Sequence, residues 1–356
     1  MSRRFIDHGD GTITDAETGL MWRADGGTPD LPGVPGGRKP WSGPLSAPPA
    51  DLPTLRTGCF GPLPDLDLSG RTVGYAVFDY IDALNAAAFA GYTDWRLPNV
   101  NELASLVNEA VPHSHFWLME NGFRNLETHC NFWSSTTCHG HPEQAWHVHF
   151  TNSGNVHTSY KAWCAHHVLP VRGRNSGPRR LLQTGQTLCY SADLVPQPLP
   201  GGSGRGQDGD LRLGAPRPAG RFEVREDGCG ASGRVVVDRF LGLAWASPLN
   251  LAMPWDAAAE MVPRCYAGYG GLDGWRLPER EELRSLTDYG CSNLLGLMHQ
   301  AGFEDVRNVD YWVGTPYANI PDSYAWSFGL AWGLYARERA GFRAGVWPVC
   351  PFPRPV

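Results

Sequence analysis

Gly91-Tyr92-Thr93-Asp94-Trp95-Arg96-Leu97-Pro98-Asn99-Val100-Asn101-Glu102-Leu103-Ala104-Ser105-Leu106 carries the plan of this chain. It returns as Gly271-Leu272-Asp273-Gly274-Trp275-Arg276-Leu277-Pro278, followed by Glu282-Leu283-Arg284-Ser285-Leu286. Trp95 and Trp275, like Leu106 and Leu286, stand 180 residues apart. A period that long is a domain rather than a solenoid unit, so the chain reads as a tandem of one globular module. Within the stretch, Trp-Arg-Leu is strand-like, and Pro98 keeps the residue before it out of the helical region. Asn99 with Glu102 fits a capping box, and Leu103, Leu106 and Val107 supply one apolar helix face. A strand-to-helix corner anchored by a core tryptophan is expected.

Working outward, residues 5–22 predict a hairpin with Gly9-Asp10-Gly11 as its turn and Thr18-Gly19 leading into Leu20-Met21-Trp22. Phe222 to Trp245 is its counterpart. Residues 24–72, rich in Pro and Gly, read as an insertion specific to the first module. Helices are expected near Val73–Phe89 and Val100–Asn108, with partners near Trp255–Cys265 and Glu281–Asp288. A strand-rich half follows: 132–137 corresponds to 311–315, 145–150 to 325–330, and 167–172 to 345–350. Each module is thus a hairpin, two helices and a short-stranded antiparallel sheet with long loops, an α+β pattern. The expected boundaries are 1–173 for the first module, 174–220 for a junction, and 221–356 for the second, diverged module. Pro196 to Gly204 reads as linker. The structured parts of the junction, 184–190 and 206–210, are expected to go with the second module.

A length of 356 residues suits two domains, and 42% hydrophobic with 19% charged residues is ordinary for a soluble globular chain. A net charge of −6 without a basic run argues against a nucleic-acid surface. No apolar run approaches 18 residues, so membrane insertion is not expected. The N-terminus lacks the apolar centre of a signal peptide. Nine cysteines do not recur at the 180-residue offset; Cys130 with Cys138, or Cys189 with Cys229, are the bridges open to them in an oxidising compartment.

Histidine is unevenly spread, with ten of twelve between residues 113 and 167. His147 and His149 share one strand face, with Trp146, Val148 and Phe150 on the other. With Cys138, His139 and His141 they form a candidate transition-metal set, because imidazole and thiolate suit zinc or copper. Asp7, Asp10 and Asp15 invite a calcium reading, although they lack the ligand ladder of an EF-hand loop and also suit turns. Trp133, Ser134, Ser135, His147, His149 and Trp163 are candidate ligand-binding residues, with Trp332 a further exposed aromatic that could stack on a sugar or anchor a protein contact. Trp22, Trp95, Trp245 and Trp275 are expected in the cores. No nucleophile elbow, phosphate loop or spaced carboxylate pair appears, so no catalytic residue is assigned.

Thr18-Gly-Leu-Met-Trp22, Asp94-Trp-Arg-Leu-Pro98 with Glu102-Leu103, Phe132-Trp-Ser-Ser-Thr136, Ala145-Trp-x-Val-x-Phe150 and Leu169-Pro-Val-Arg172 resemble the C-terminal domain family of the bacterial collagen-like adhesin Lcl. The Thr184-Gly-Gln-Thr187, Cys189-Tyr190 and Gly206-Gln-Asp-Gly-Asp210 segments look like the join that precedes a second copy in that family. The resemblance implies a C-type-lectin-like fold akin to formylglycine-generating enzymes, an exported or cell-surface location, and glycan binding. The second module has Val313-Gly314 where the first has Ser134-Ser135. Cys138 and Cys164 are the nearest candidates for the paired-cysteine copper site of the oxygenase-like relatives. The function expected is adhesion-type binding of a glycan or protein ligand through the first module. The alternatives are a zinc- or copper-dependent protein using residues 138–167, and a self-associating structural subunit of a surface assembly.

Overall fold

The computed structural model describes residues 3–34, 36–42, 76–127, 131–151, 154–162, 164–190, 196–197, 206–226, 233–330 and 333–352. Its chain divides into two units, Met1–Ala215 and Pro216–Val356, both mixed α+β. In chain order the first carries β1 (Phe5–Asp7), β2 (Thr12–Asp15), β3 (Leu20–Arg23), β4 (Lys39–Pro40), α1 (Val77–Ala86), α2 (Val100–Ala104) and α3 (Ser114–Glu120). There follow β5 (Asn131–Cys138), β6 (His141–His149), β7 (Asn155–Tyr160), β8 (Ala165–His166), β9 (Val171–Arg172), β10 (Cys189–Tyr190), β11 (Pro196–Gln197) and α4 (Asp208–Leu211).

The second unit carries β12 (Phe222–Arg225), β13 (Val235–Asp238), β14 (Leu243–Ala246), β15 (Leu249–Met253), α5 (Trp255–Cys265), α6 (Arg280–Leu286) and α7 (Leu294–Gln300). It ends with β16 (Asp310–Pro316), β17 (Tyr324–Gly329), β18 (Gly333–Glu338), β19 (Ala344–Val346) and β20 (Val349–Pro351). Among the described residues no helix is long and apolar enough to cross a membrane.

The corner forms as its chemistry requires, twice. Trp95 is buried and its indole donates to the Phe89 carbonyl at 3.1 Å; Trp275 does the same to Tyr269 at 3.1 Å. Arg96 exchanges both backbone bonds with Val171 at 2.9 and 3.0 Å, and Arg276 both with Val349 at 2.9 Å. The Asn99 side chain accepts from Glu102 N at 2.9 Å, while Glu102 accepts from Asn99 N at 2.9 Å, closing the capping box. Arg96 then grips the same Glu102 with two bonds of 2.7 and 2.8 Å, and Arg276 grips Glu282 likewise at 2.8 and 2.7 Å.

Both units build one four-stranded sheet from their first three strands and one later strand, β1-β2-β3-β9 and β12-β13-β14-β20. A staple ties each hairpin to a helix end. Arg4 binds Asp15 at 3.0 Å and the Ser105 carbonyl at 2.8 Å; Arg221 binds Asp238 at 3.0 Å and the Ser285 carbonyl at 2.8 Å. The other sheet is β5-β6-β7 beside the β4–β8 pair in the first unit, and β15-β19-β16-β17-β18 in the second.

Strand β5 and the second half of β6 are largely buried on both faces. Phe132 and Val148 point into the core around Trp22, Leu103 and Val171, while Trp133 and Ala145 point into a separate core around Trp41, Tyr80 and Leu97. That burial encloses His147 and His149, which alternation alone places on one strand face.

Three expectations are corrected. Each unit has a third helix, α3 and α7, that was not anticipated. The insertion is better placed: Lys39-Pro40-Trp41 matches Met253-Pro254-Trp255, because Trp41 Nε1 donates to Ser134 O at 2.8 Å and Trp255 Nε1 to Val313 O at 2.7 Å. The main extra length therefore lies between Trp41 and α1, and residues 43–75 are outside the described set. The junction belongs to the first unit, not the second. Thr184 Oγ1 donates to Asp208 at 2.6 Å, Asp208 accepts again from Thr136 at 2.7 Å, and Gln186 donates to Thr137 O at 2.8 Å. Of the Pro196–Gly204 linker, only residues 196–197 are described, as β11.

Candidate functional site

The chemistry-bearing side chains of the first unit gather on one face of β5-β6-β7. Cross-strand pairing lines up Trp133, His147 and His157 in a row. His166, brought in by β8 pairing with Lys39, stacks across the row at 4.3 Å from Trp133 and 4.7 Å from His147, ring centre to ring centre. His147 and His157 are 6.3 Å apart. Burial holds all three imidazoles neutral: it lowers His147 well below the ordinary histidine value, lowers His157, and takes His166 to about 3. His147 Nδ1 and His166 Nε2 are buried without a hydrogen-bond partner among the described residues.

Beside this row lies a buried lysine. The Lys161 ammonium nitrogen sits 4.0 Å above the Trp41 ring and 5.3 Å from that of Tyr190, and donates to Thr137 Oγ1 at 2.8 Å. Burial lowers its pKa to about 7, against smaller opposing effects of Cys138, Glu143 and Cys189. Burial also raises Cys138, and takes Cys189 to about 11, so both thiols stay protonated at neutral pH. Asp208, fully enclosed, is raised to about 6 by burial even though two threonine hydroxyls donate to it.

The expected ligand-contacting residues are placed differently. Trp133 is fully buried and donates to Lys39 O at 2.8 Å; Trp312 makes the same bond to Met253 O at 2.7 Å. Ser134 donates to Trp146 O at 2.7 Å and Ser135 Oγ to Pro98 O at 3.2 Å, both out of solvent. His149 is buried against the Thr151 hydroxyl, 2.7 Å from Nε2. These residues are framework because the sheet they lie on is covered on both sides. Trp163 and Trp332 lie outside the described residues. Trp22, Trp95, Trp245 and Trp275 are in the cores.

The metal set is not assembled. Cys138 pairs with His141 at the hairpin end of β5 and β6, whereas His147 pairs with Trp133 farther along the same two strands. At about 3.3 Å per residue, His141 and His147 are roughly 20 Å apart along β6. Among the described residues, no group of three or more His, Cys, Asp or Glu side chains is arranged to hold a metal ion. The calcium set is spent as well: Asp15 on Arg4 and Thr18, Asp10 on Thr12, Asp7 on Gly9 N and Arg124. Cys138 and Cys189 are free thiols, Cys164 is buried, and Cys130 and Cys229 lie outside the described residues.

Sequence reasoning missed Lys161, His157, His166, Trp41 and Asp208 as parts of one site. A signal existed for the lysine. Lys39 and Lys161 are the two lysines in the chain, and both are buried on this side of the first unit. No curated protein matches this sequence. The Lcl C-terminal domain family matches residues 11–172 and again 234–350, spanning both corners and both staples' aspartates and reaching into β9 and β20. The chain belongs to the Lcl C-terminal domain family.

Proposed function

We propose that this chain is a non-enzymatic, adhesion-type binding protein on C-type-lectin-like modules, recognising a glycan or protein ligand through the strand and loop surface of the first unit. One observation carries the reading: the two units share the bonds of their corner, staple and anchoring indoles, and differ where the first adds side chains. In the first, the hairpin tip Cys138–His141 exposes His141 beside Glu143, and β7 is half-exposed along its whole length. Imidazole, hydroxyl and aromatic groups on such an outer strand offer both hydrogen bonds and ring faces to a ligand. Trp146 borders this strand, paired with Thr158.

A glycan array and pull-down with the intact chain test this. His141→Ala combined with Thr158→Arg should weaken binding at least tenfold, whereas Tyr335→Arg, on the corresponding outer strand of the second unit, should not. Absence of any ligand together with assembly into particles, or equal loss from Tyr335→Arg, would refute it.

A further inference from the structure

We propose that the first unit is acid-labile by construction: protonation of His147, His157 and His166 opens the β5-β6-β7 sheet in mildly acidic medium, while the second unit stays folded. The inference does not depend on what ligand the surface binds.

The geometry is a stack of imidazoles with no room for charge. His147 and His166 lie 4.7 Å apart between ring centres, both buried against the Trp133 indole. A proton on either ring would be buried, beside another ring that is itself a proton acceptor. The charges that bear on the stack are of the same sign. His166 faces Arg38, His167 and His149; His147 faces His166, His157 and His149. From β4, Lys39 pairs with His166 through the backbone. The carboxylates of Glu127 and Asp25 bear on His167, which is therefore not part of the trigger.

The second unit has the same positions without imidazoles, and its Ser327 donates to Asp310, which Arg337 also binds. Trp312 pairs with Ser327 as Trp133 does with His147, and Ser327 with Tyr335 as His147 does with His157. Ala344 pairs with Met253 as His166 pairs with Lys39. Trp312 packs on Phe342, 5.8 Å between ring centres, in place of imidazoles.

The sign follows from proton counting. The unfolded chain binds protons on these histidines near their ordinary value of 6.5; the folded unit holds His147 and His166 well below it and lowers His157. Stability of the first unit therefore falls as pH drops through 6.5, by about tenfold in the folding constant per histidine per pH unit once below it. His147 and His166 together give up to about a hundredfold per unit, and His157, half-exposed on β7, adds less.

Hydrogen exchange read by mass spectrometry on the intact chain, corrected for intrinsic rates, should show residues 131–166 losing protection between pH 7.5 and 5 while 310–346 keep theirs. Equal loss in both segments would overturn the proposal. The variant carrying His147→Ser, His157→Tyr and His166→Ala takes the second unit's own residues and should flatten the pH slope; an unchanged slope would overturn it. Should that variant not fold, imidazole NMR of the unaltered protein decides. Rings silent down to pH 5.5 support the proposal, and rings titrating near 6.5 in the folded state overturn it. EDTA should leave the transition unmoved; a shift would assign the histidines to a metal instead.

Discussion

Lys161 in the first unit and Arg339 in the second occupy the same niche and are treated differently. Lys161 N donates to Glu143 O at 2.9 Å, and its own carbonyl accepts from Trp41 N at 2.8 Å. Arg339 N donates to Ser323 O at 2.8 Å, and its carbonyl accepts from Trp255 N at 3.1 Å. Each cation lies over the matching indole, at 4.0 and 4.2 Å. Yet Lys161 is buried beneath Tyr190 of β10, whereas Arg339 reaches outward to Asp256 and the Pro321 carbonyl. The framework places the cation, and the junction segment folded onto the first unit decides how much water it keeps. Asp208 shows the same addition: it meets Thr136, while the corresponding Thr315 donates to Glu279, a residue of its own corner.

The comparison breaks first, and hardest, at the corner's ion pair. Arg96 and Glu102 are almost wholly buried, and Arg276 with Glu282 is more open. Glu102→Ala strands a buried guanidinium and uncaps Asn99 N, which should cost about 3–5 kcal/mol. Glu282→Ala leaves a half-exposed arginine and should cost only about 1–2 kcal/mol. Denaturant unfolding of each variant, with segment-resolved exchange to attribute the loss, checks this. Equal costs would mean that the two corners are energetically the same despite their different exposure.

Lys161→Met sharpens the comparison at the niche itself. The folded amine gives up its proton at about 7, and the unfolded chain keeps it to about 10.5. Between those values the unfolded state binds more protons, so the lysine's penalty is full below pH 7 and fades as pH rises through that window. Methionine keeps the apolar stem and removes the buried charge. It should stabilise the first unit by on the order of 1–3 kcal/mol at pH 6 and have little effect near pH 10, where the lost Thr137 bond weighs against it. Arg339→Met should instead destabilise by roughly 0.5–1 kcal/mol, equally at both pH values. Thermal melts at the two pH values separate these outcomes, and a Lys161→Met loss at pH 6 would sink the argument.

Sequence made the framework legible because its determinants are local. Asn99 and Glu102 cap within one turn, and Gly9-Asp10-Gly11 turns a hairpin by itself. The α3 helix escaped because seven residues from Ser114 to Glu120 carry no side-chain cap and little apolar periodicity. The site was legible as composition but not as arrangement. Alternation correctly puts His147 opposite Val148, but it cannot say that both faces are covered, since Trp41 and α1 return from far along the chain. Nor could it assign the junction, whose bonds from Asp208 to Thr136 span 72 residues.

The gentlest probe is the turn before the corner, where both units hold the same backbone with different residues. Ala88 has φ 47° and Gly268 has φ 72°, both left-handed, where a Cβ costs about 1–2 kcal/mol. Ala88→Gly removes that strain but adds freedom to the unfolded chain, worth about 0.4–1 kcal/mol, so a net gain of roughly 0.5–1 kcal/mol is expected. Gly268→Ala should lose about the same amount and no more, because a Cβ there meets nothing within 4 Å. Gly270→Ala is the contrasting case: its Cβ would lie 2.7 Å from Val235 Cγ1, adding a packing penalty to the strain. Melting temperatures should therefore rise by a few degrees for Ala88→Gly, fall by a similar amount for Gly268→Ala, and fall further for Gly270→Ala. If Ala88→Gly lowers the melting point, the turns are not energetically equivalent, and the first unit must compensate its alanine through contacts that the second does not make.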